Sequence, residues 1–179
     1  MINIKHNTLE TIFTESCLLE PISLKHVSQR YLGWLNNPNT NQFLETRFNV
    51  LSIATLKDYV ISQTKRGDVL FYAIHSLDDI YIGNIKLGPI NVNHMTADIG
   101  FLIGDKSYQK KGIASQAIIN LCEYGFSLGI KKITAGAYSN NIGSIKTLLK
   151  SGFYEEGFRR SQVISNDERL GISLFGLTP

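Results

Sequence analysis

A short basic loop between two differently patterned segments holds the residues best suited to chemistry. From Ala97 to Ile103 apolar residues alternate with polar or small ones, which is the pattern of a strand. From Ala114 to Leu128 they recur at helical spacing. Gly112 stands where the helix begins, so unpaired N–H groups and the positive end of the helix dipole meet there. Three lysines surround the loop: Lys106, Lys110 and Lys111. This combination predicts a site for a phosphate or pyrophosphate.

The loop lacks the two best-known phosphate-binding motifs, G-x-x-x-x-G-K-[ST] and G-x-G-x-x-G. Its own pattern, Q-x-x-G-x-A from Gln109 to Ala114, resembles the acyl-CoA pyrophosphate loop of the GNAT N-acetyltransferase superfamily. A second signature follows a strand-like stretch, with Asn141, then Ser144, a short helical segment and Gly152-Phe153. The resemblance covers nearly the whole chain. Within the superfamily, the chain is similar to the branch that contains ribosomal-protein alanine acetyltransferases.

The resemblance implies a fold and a cofactor. The fold is α/β (α+β), with a mostly antiparallel mixed sheet that is splayed at the cofactor groove and flanked by about four helices. The cofactor is acetyl-CoA, the acyl donor, whose pantetheine arm enters the splay between strands 98–103 and 133–137. A backbone N–H near Gly100 would hold the developing oxyanion. Ser144 is expected either to contact the cofactor or to cap the short helix. The expected cofactor-binding residues are Ile99, Gly100, Phe101, Leu102, Gln109, Lys110, Lys111, Gly112, Ile113, Ala114, Asn141 and Ser144.

Aminolysis of a thioester needs positioning, a route for the proton of the amine, and stabilisation of the oxyanion. Asp98, on the central strand, is the first candidate for the catalytic base, and Glu45 is the second. The alternative for both is an exposed or structural carboxylate. His75 and His94 are weaker candidates for the base, because a lone histidine in or near a strand is more often structural.

The general acid departs from the family pattern. Many relatives place a tyrosine four residues after the position of Ser144, and here that position is Leu148. Tyr138 is expected on the strand face opposite Ile133 and Ala135, where it is a candidate acid or substrate ligand. Its alternative role is packing. A protein acid is useful rather than obligatory, because the thiol of CoA is itself a good leaving group.

The acceptor region is predicted between the first two helices. The stretch from Trp34 to Arg47 resembles amino-sugar acetyltransferases of surface-glycan pathways, which favours a nucleotide-linked amino sugar as the acceptor. Arg47 is a candidate partner for a phosphate, and aromatic rings can stack on a base or sugar. The predicted substrate-binding residues are Trp34, Phe43, Glu45 and Arg47. Core packing is the alternative for Trp34, and a solvated surface charge is the alternative for Arg47.

Two other functions stay open. The first is acetylation of a protein N-terminus, which needs an open acidic groove for the basic ends of ribosomal proteins. The second is a non-catalytic acyl-CoA-binding protein, which the loss of the usual tyrosine permits. Release of thiol from acetyl-CoA separates the enzymes from the binder, and the nature of the consumed amine separates the two enzymes.

Composition limits the remaining classes. A chain of 179 residues is expected to form one domain, 1–179, with 1–14 as an N-terminal extension that adds an edge strand. A net charge of +3 is too small to indicate nucleic-acid binding, and the absence of a long apolar run predicts no membrane segment and a cytoplasmic location. Cys17 and Cys122 are expected to be buried free thiols. The four histidines lack ligand spacing, so no metal site is predicted.

Three local predictions concern the elements around this site. Ser23 is expected to cap a helix that runs through Leu35 and stops at Asn36-Asn37-Pro38. A strand from Tyr81 to Leu87 is expected to end in a connection that contains Gly88-Pro89. The last two strands, Phe153–Ile164 and Leu170–Leu177, are expected to form a hairpin that can pair edge to edge in a homodimer.

Overall fold

An eight-stranded sheet forms the centre of the computed structural model, which describes residues 8–165 and 167–179. The strands are β1 (Ile12–Phe13), β2 (Leu18–Pro21), β3 (Leu70–His75), β4 (Tyr81–Asn91), β5 (Thr96–Ile103), β6 (Lys132–Tyr138), β7 (Tyr154–Ser165) and β8 (Glu168–Leu177). Their spatial order is β1-β2-β3-β4-β5-β6-β8-β7. Among the described strands, only the β5–β6 pair is parallel. The predicted mixed, mostly antiparallel sheet is therefore confirmed.

Helices cover both faces of the sheet. The described residues contain five α-helices, one more than expected: α1 (Gln29–Asn36), α2 (Pro38–Asn41), α3 (Ile53–Thr64), α4 (Ile113–Ser127) and α5 (Ile142–Lys150). Buried residues of α4 and α5 pack against one face, and those of α1 and α3 pack against the other. The alternating residues of β5 divide accordingly: Ile99 faces α4, whereas Leu102 packs towards α1 and α3.

The first predicted helix is divided into two parts. Ser23 precedes only a 3-10 turn, Leu24–His26, because Val27 adopts an extended conformation with ψ of 101°. Ser28 then caps α1, its side chain accepting a hydrogen bond from the N–H of Tyr31. The helix ends at Asn36 as predicted, but Pro38 begins the single-turn helix α2. Proline is tolerated there because an N–H in the first turn needs no helical partner.

Strand β4 is longer than predicted. It continues through Gly88-Pro89 to Asn91, with a shift of register against β5 between Leu87 and Ile90. Proline lacks the N–H that a regular ladder needs, and the irregularity accommodates it. Gly88 has a φ of +139°, and a Cβ there would lie 2.6 Å from the carbonyl oxygen of Asp68. The sequence predicts a connection at Gly88-Pro89, because Gly-Pro usually interrupts regular structure.

The ends of the described chain agree with the sequence analysis where they can be compared. β1 lies at one edge of the sheet, as expected for the N-terminal extension, while the remainder of that prediction, residues 1–7, lies outside the described residues. β7 and β8 form the predicted hairpin, with β7 at the other edge. Both cysteines are buried and free. Within 8–165 and 167–179, no helix combines the length and apolar character that crossing a bilayer requires.

Candidate active site

The two parallel strands separate soon after they pair. β5 and β6 are in register at Thr96–Lys132, Ala97–Ile133 and Asp98–Thr134 only. β6 then continues to Tyr138, while β5 stays paired with β4 as far as Ile103. Among the described strands, the edge of β5 that faces β6 therefore has no partner beyond Asp98. This is the predicted splay, and its free backbone groups face an open groove.

The basic loop lies at the open end of this groove, where α4 begins. Gly112 is the N-cap of α4 with a φ of +81°, in the left-handed region that glycine adopts at little cost. No side chain caps α4, whereas side chains of Ser28, Ser52 and Asn141 cap α1, α3 and α5. The N–H groups of the first turn of α4 are therefore left for a ligand.

The loop is surrounded by more positive charge than its own three lysines supply. A Cβ built on Gly112 would have one neighbour within 4 Å, the Nζ of Lys150 at 3.8 Å. Lys150 is the last residue of α5, so the packing of α5 on α4 brings a fourth ammonium group to the helix N-terminus. Sequence reasoning missed this residue because its contribution depends on tertiary packing. Gln109 fastens the loop to β5, its Nε2 donating to the carbonyl oxygen of Ile103 at 2.8 Å.

Asp105 holds the turn that precedes the loop. Its Oδ1 accepts hydrogen bonds from the N–H of Ser107 at 2.9 Å and from its hydroxyl at 2.6 Å. Its Oδ2 lies 2.5 Å from Nη2 of Arg30 on α1. The Ser107 hydroxyl and the Arg30 guanidinium favour the ionised form, so the pKa of the Asp105 carboxyl is below its ordinary value of 3.8.

We expect Asp105→Ala to reduce the free energy of unfolding by about 1 kcal/mol near neutral pH, the usual cost of a lost cap. Because the pKa is lowered in the folded state, this stabilisation is complete above the ordinary carboxyl pKa and is lost as the pH falls through the folded-state pKa. Urea unfolding of both proteins at several pH values measures the difference. Asp58→Ala, at an exposed position of α3, is the control. A deficit that persists unchanged into acid would contradict this account.

Asn141 and Ser144 share the start of α5. The Oδ1 of Asn141 accepts from the N–H of Ser144 at 3.2 Å, so Asn141 is the cap. Of the two roles expected for Ser144, capping is therefore excluded and contact with the cofactor stays a prediction. The side-chain nitrogen of Asn141, Nδ2, remains available to donate to a cofactor. Leu148, at the position of the usual family tyrosine, is buried in the core and offers no proton.

Three predicted site residues form one hydrogen-bonded group, which we call the Tyr138 cluster: Tyr138, Glu45 and Arg47. The Tyr138 hydroxyl donates to Oε1 of Glu45 at 2.9 Å and accepts from Nη1 of Arg47 at 2.8 Å. Arg47 also donates to the carbonyl oxygens of Leu44 and Ile164. The ring of Phe43 packs edge-on against that of Tyr138 at 5.8 Å. Residues more than 90 positions apart in the chain thus meet at the end of β6.

The electrostatics of the Tyr138 cluster favour a neutral phenol. Burial raises the pKa of Tyr138, and the hydrogen bond to Glu45 acts in the same direction, against the hydrogen bond from Arg47. Tyr138 therefore carries its proton at neutral pH. Arg47, with its side chain only 13% exposed, is positioned to stabilise the phenolate if that proton is given away.

Asp98 lies at the closed end of the splay. Its Oδ1 accepts a hydrogen bond from the Thr134 hydroxyl, and its side chain is exposed on the sheet face opposite α4. Tyr138 is four residues beyond Thr134 on β6, on the same face and about 13 Å further along the strand. The structure thus separates the first candidate base, Asp98, from the cluster that contains the second, Glu45.

Trp34 is not with the other predicted substrate-binding residues. It is 8% exposed and packs in the core against Tyr81, with ring centroids 5.0 Å apart. A Cβ on Gly104 would lie 2.0 Å from its Cδ2, so Trp34 fills the space beneath the end of β5. This placement corresponds to the core alternative of the sequence analysis.

A cavity of about 500 Å³ adjoins the Tyr138 cluster through Arg47. The described part of its lining combines side-chain amides with one arginine, one aspartate and a few apolar groups. The lining residues are Asn36, Pro38, Asn41, Gln42, Arg47, Phe48, Asn49, Val50, Ile164, Ser165 and Asp167. The volume is in the range of small-molecule sites. Five of these residues, Asn36, Pro38, Asn41, Gln42 and Arg47, belong to the predicted acceptor region between the first two helices. Sequence reasoning did not select Ile164, Ser165 and Asp167, because they join that region only in the fold.

Comparisons with known proteins agree with this geometry. The model of the acetyltransferase (GNAT) domain matches residues 17–154, and the chain therefore belongs to this family. The probable N-acetyltransferase YjcK of Bacillus subtilis is 37% identical over 91 residues, which span 50% of each protein. The uncharacterized N-acetyltransferase p20 of Bacillus licheniformis is 27% identical over 177 residues, 94% of this chain and 96% of that protein.

Solved structures show the same fold. RimL, a ribosomal L7/L12 α-N-protein acetyltransferase in complex with coenzyme A, superposes with a TM-score of 0.82 at 19% identity, over 94% of this chain and 98% of that one. Spermidine N-acetyltransferase of Vibrio cholerae, with CoA and spermine, gives 0.81 at 19% identity, over 90% and 95%. The predicted superfamily and fold are confirmed. The predicted enzyme class, an acyltransferase that uses acetyl-CoA, is confirmed at the level of the family.

Proposed function

We propose that this chain transfers the acetyl group of acetyl-CoA to the primary amine of a small polar molecule, with a nucleotide-linked amino sugar as the favoured acceptor. The observation that carries the proposal is the position of Arg47, which belongs both to the Tyr138 cluster and to the wall of the amide-rich cavity. An acceptor in the cavity would meet a cation suited to phosphate and a set of amides suited to sugar hydroxyls.

The charges of the cavity argue against a polycation. Among the described residues, its lining has one carboxylate, Asp167. Glu45 lies alongside in the Tyr138 cluster, and both carboxylates are opposed by the Arg47 guanidinium. A polyamine or a basic protein N-terminus gains most from several carboxylates in a row. Side-chain amides outnumber acids here, which favours a neutral or anionic acceptor with many hydroxyl groups.

The proposed reaction uses groups on both sides of the splay. The amine nitrogen attacks the thioester carbonyl carbon, and the oxyanion is stabilised by free N–H groups of β5 near Gly100. Collapse of the intermediate breaks the C–S bond. Tyr138 gives its proton to the departing thiolate while Arg47 stabilises the phenolate. A carboxylate takes the proton of the amine, and the phenol later regains a proton from that carboxyl group or from solvent.

We propose Glu45 rather than Asp98 as that carboxylate. Glu45 contacts Tyr138 directly, and its side chain is 78% exposed beside the cavity, whereas Asp98 is hydrogen-bonded to Thr134 at the closed end of the splay. Glu45→Gln should lower kcat by about 100-fold, within the usual range for a lost acid or base. Asp98→Asn should lower it by less than about 10-fold, and steady-state kinetics over a pH series compares the two. A larger loss of kcat in Asp98→Asn than in Glu45→Gln would instead identify Asp98 as the base.

Thiol release from acetyl-CoA, with the mass of the amine before and after, tests the acceptor. The panel contains nucleotide-linked amino sugars, free amino sugars, spermidine and alanine-starting peptides. We expect turnover with a nucleotide-linked amino sugar. The KM for this acceptor should rise at least about tenfold in Arg47→Lys, because lysine cannot make a bidentate contact with a phosphate. Turnover only with peptides would establish the N-terminal alternative, and turnover only with spermidine would refute the charge argument. Acetyl-CoA binding without turnover of any amine would favour a non-catalytic binder.

A further inference from the structure

Three side chains meet on the α1 face of the sheet, away from the β5–β6 groove, and form what we call the Glu20–His26–His75 cluster. Glu20 is on β2, and His75 is the last residue of β3. Because Leu18 is the register partner of His75, Glu20 and His75 share one face of the sheet. The 3-10 turn Leu24–His26 returns the third side chain to the same point. His26 and His75 are buried, with only 3% and 7% of their surface exposed.

The three nearest donor atoms form an almost equilateral triangle. Nε2 of His26 is 3.2 Å from Nε2 of His75, and Oε2 of Glu20 is 3.3 Å and 3.5 Å from these two nitrogens. Ligand bonds of about 2.0–2.2 Å in a tetrahedral zinc site require ligand atoms about 3.3–3.6 Å apart. We propose that the Glu20–His26–His75 cluster binds one divalent transition-metal ion, with Zn²⁺ as the best match, through these three atoms.

Neighbouring groups orient two of the three ligands for a metal ion. Nδ1 of His75 lies 2.9 Å from Oδ1 of Asp79, an arrangement that leaves the Nε2 lone pair free for a metal. Lys25 pairs with the other oxygen of Glu20, Oε1, and leaves Oε2 to face the histidines. Nδ1 of His26 accepts a hydrogen bond from the N–H of Ser23 at 3.0 Å and lies 3.3 Å from the carbonyl oxygen of the same residue. Ligation through Nε2 therefore requires the ring proton to move to Nδ1, where that carbonyl oxygen can accept it.

The surroundings define the type of site. The ring of Tyr81 lies against both imidazoles, at 5.2 Å and 5.6 Å between centroids, and closes the inner side. Glu20, with its side chain 28% exposed, lies on the side open to solvent, where water can complete a tetrahedron. A bound ion would join β2, the 3-10 turn and β3 near one edge of the sheet.

The spacing along the chain predicted no metal site, because the two histidines are 49 residues apart and belong to no short motif. Titration of the metal-free full chain with Zn²⁺ against a chromophoric chelator tests the proposal. We expect one Zn²⁺ per chain and a higher Tm with the ion, since binding stabilises the folded state. His75→Gln and Glu20→Gln should each weaken binding by more than about 100-fold, beyond the usual effect of a lost supporting partner. His94→Gln, at an exposed histidine outside the cluster, should bind as the wild type does.

The supporting groups provide a finer test. Asp79→Asn should weaken Zn²⁺ binding by about 10- to 100-fold through the orientation of His75, whereas Asp78→Asn, at the exposed neighbouring position, should not change it. If His75→Gln fails to fold, Glu20→Gln decides, because it preserves the shape of a partly exposed side chain. Wild-type chain without stoichiometric Zn²⁺ binding would overturn the proposal, and so would binding that survives Glu20→Gln unchanged.

Discussion

Gly112→Glu should raise the Kd for acetyl-CoA by at least about 100-fold, which corresponds to about 2.7 kcal/mol. The carboxylate would stand at the N-terminus of α4, among the N–H groups and the Lys150 ammonium that we expect to receive the pyrophosphate. Each charge-assisted hydrogen bond lost there is worth about 1.5–3 kcal/mol. Isothermal titration calorimetry with acetyl-CoA measures the effect.

Two further variants separate charge from backbone strain. Gly112→Ala keeps the site uncharged but places a side chain at a φ of +81°, a strain of about 1–2 kcal/mol. Its effect on Kd should therefore be clearly smaller than that of glutamate. Gly33→Glu adds the same charge to an exposed position of α1 with open space around it, and should leave Kd unchanged. Equal binding by Gly112→Glu and the wild type would exclude the loop as the pyrophosphate site.

Tyr138→Phe should lower kcat by about 100-fold and leave the KM for acetyl-CoA nearly unchanged. The phenol is the proposed donor to the thiolate, and loss of a general acid typically costs about 10²–10⁴ in rate. Phenylalanine keeps the ring contact with Phe43 but removes the hydrogen bonds to Glu45 and Arg47. Steady-state kinetics with the acceptor found in the panel measures both constants.

The pH profile adds a second readout for Tyr138. Its pKa is raised above the ordinary value of 10.0, so the wild-type rate should fall only in strongly alkaline solution, as the phenol loses its proton. Tyr138→Phe should lack that decline. Tyr59→Phe, at an exposed tyrosine of α3, is the matched control and should behave as the wild type in both respects. An unchanged kcat in Tyr138→Phe would remove the tyrosine from the mechanism.

Local signals allowed the cofactor end of the site to be predicted. The change from strand to helix periodicity around Gly112 depends only on neighbouring residues, and α4 begins at the residue that this pattern predicts. The prediction of one continuous helix from Ser23 to Leu35 was wrong for an equally local reason. Val27 has an extended backbone, which the spacing of apolar residues does not reveal. Gly88-Pro89 is predicted to lie in a connection after β4, but a shift of register lets β4 continue through it.

Features that depend on tertiary packing were predicted only as separate residues or not at all. Glu45, Arg47 and Tyr138 were each selected, but their hydrogen bonds join segments 91 and 93 residues apart. Lys150 reaches the loop only because α5 packs on α4. The Glu20–His26–His75 cluster depends on the register of β2 with β3, which no spacing between histidines encodes.

Hydrogen exchange of the wild-type chain with and without acetyl-CoA tests most directly whether the splayed strands and the basic loop hold the cofactor. We predict slower exchange in two segments: 99–103, on the unpaired edge of β5, and 111–115, at the start of α4. Gly112→Glu at the same concentration of acetyl-CoA should show neither change. Protection confined to other segments, or no protection despite saturating acetyl-CoA, would contradict the proposed cofactor site.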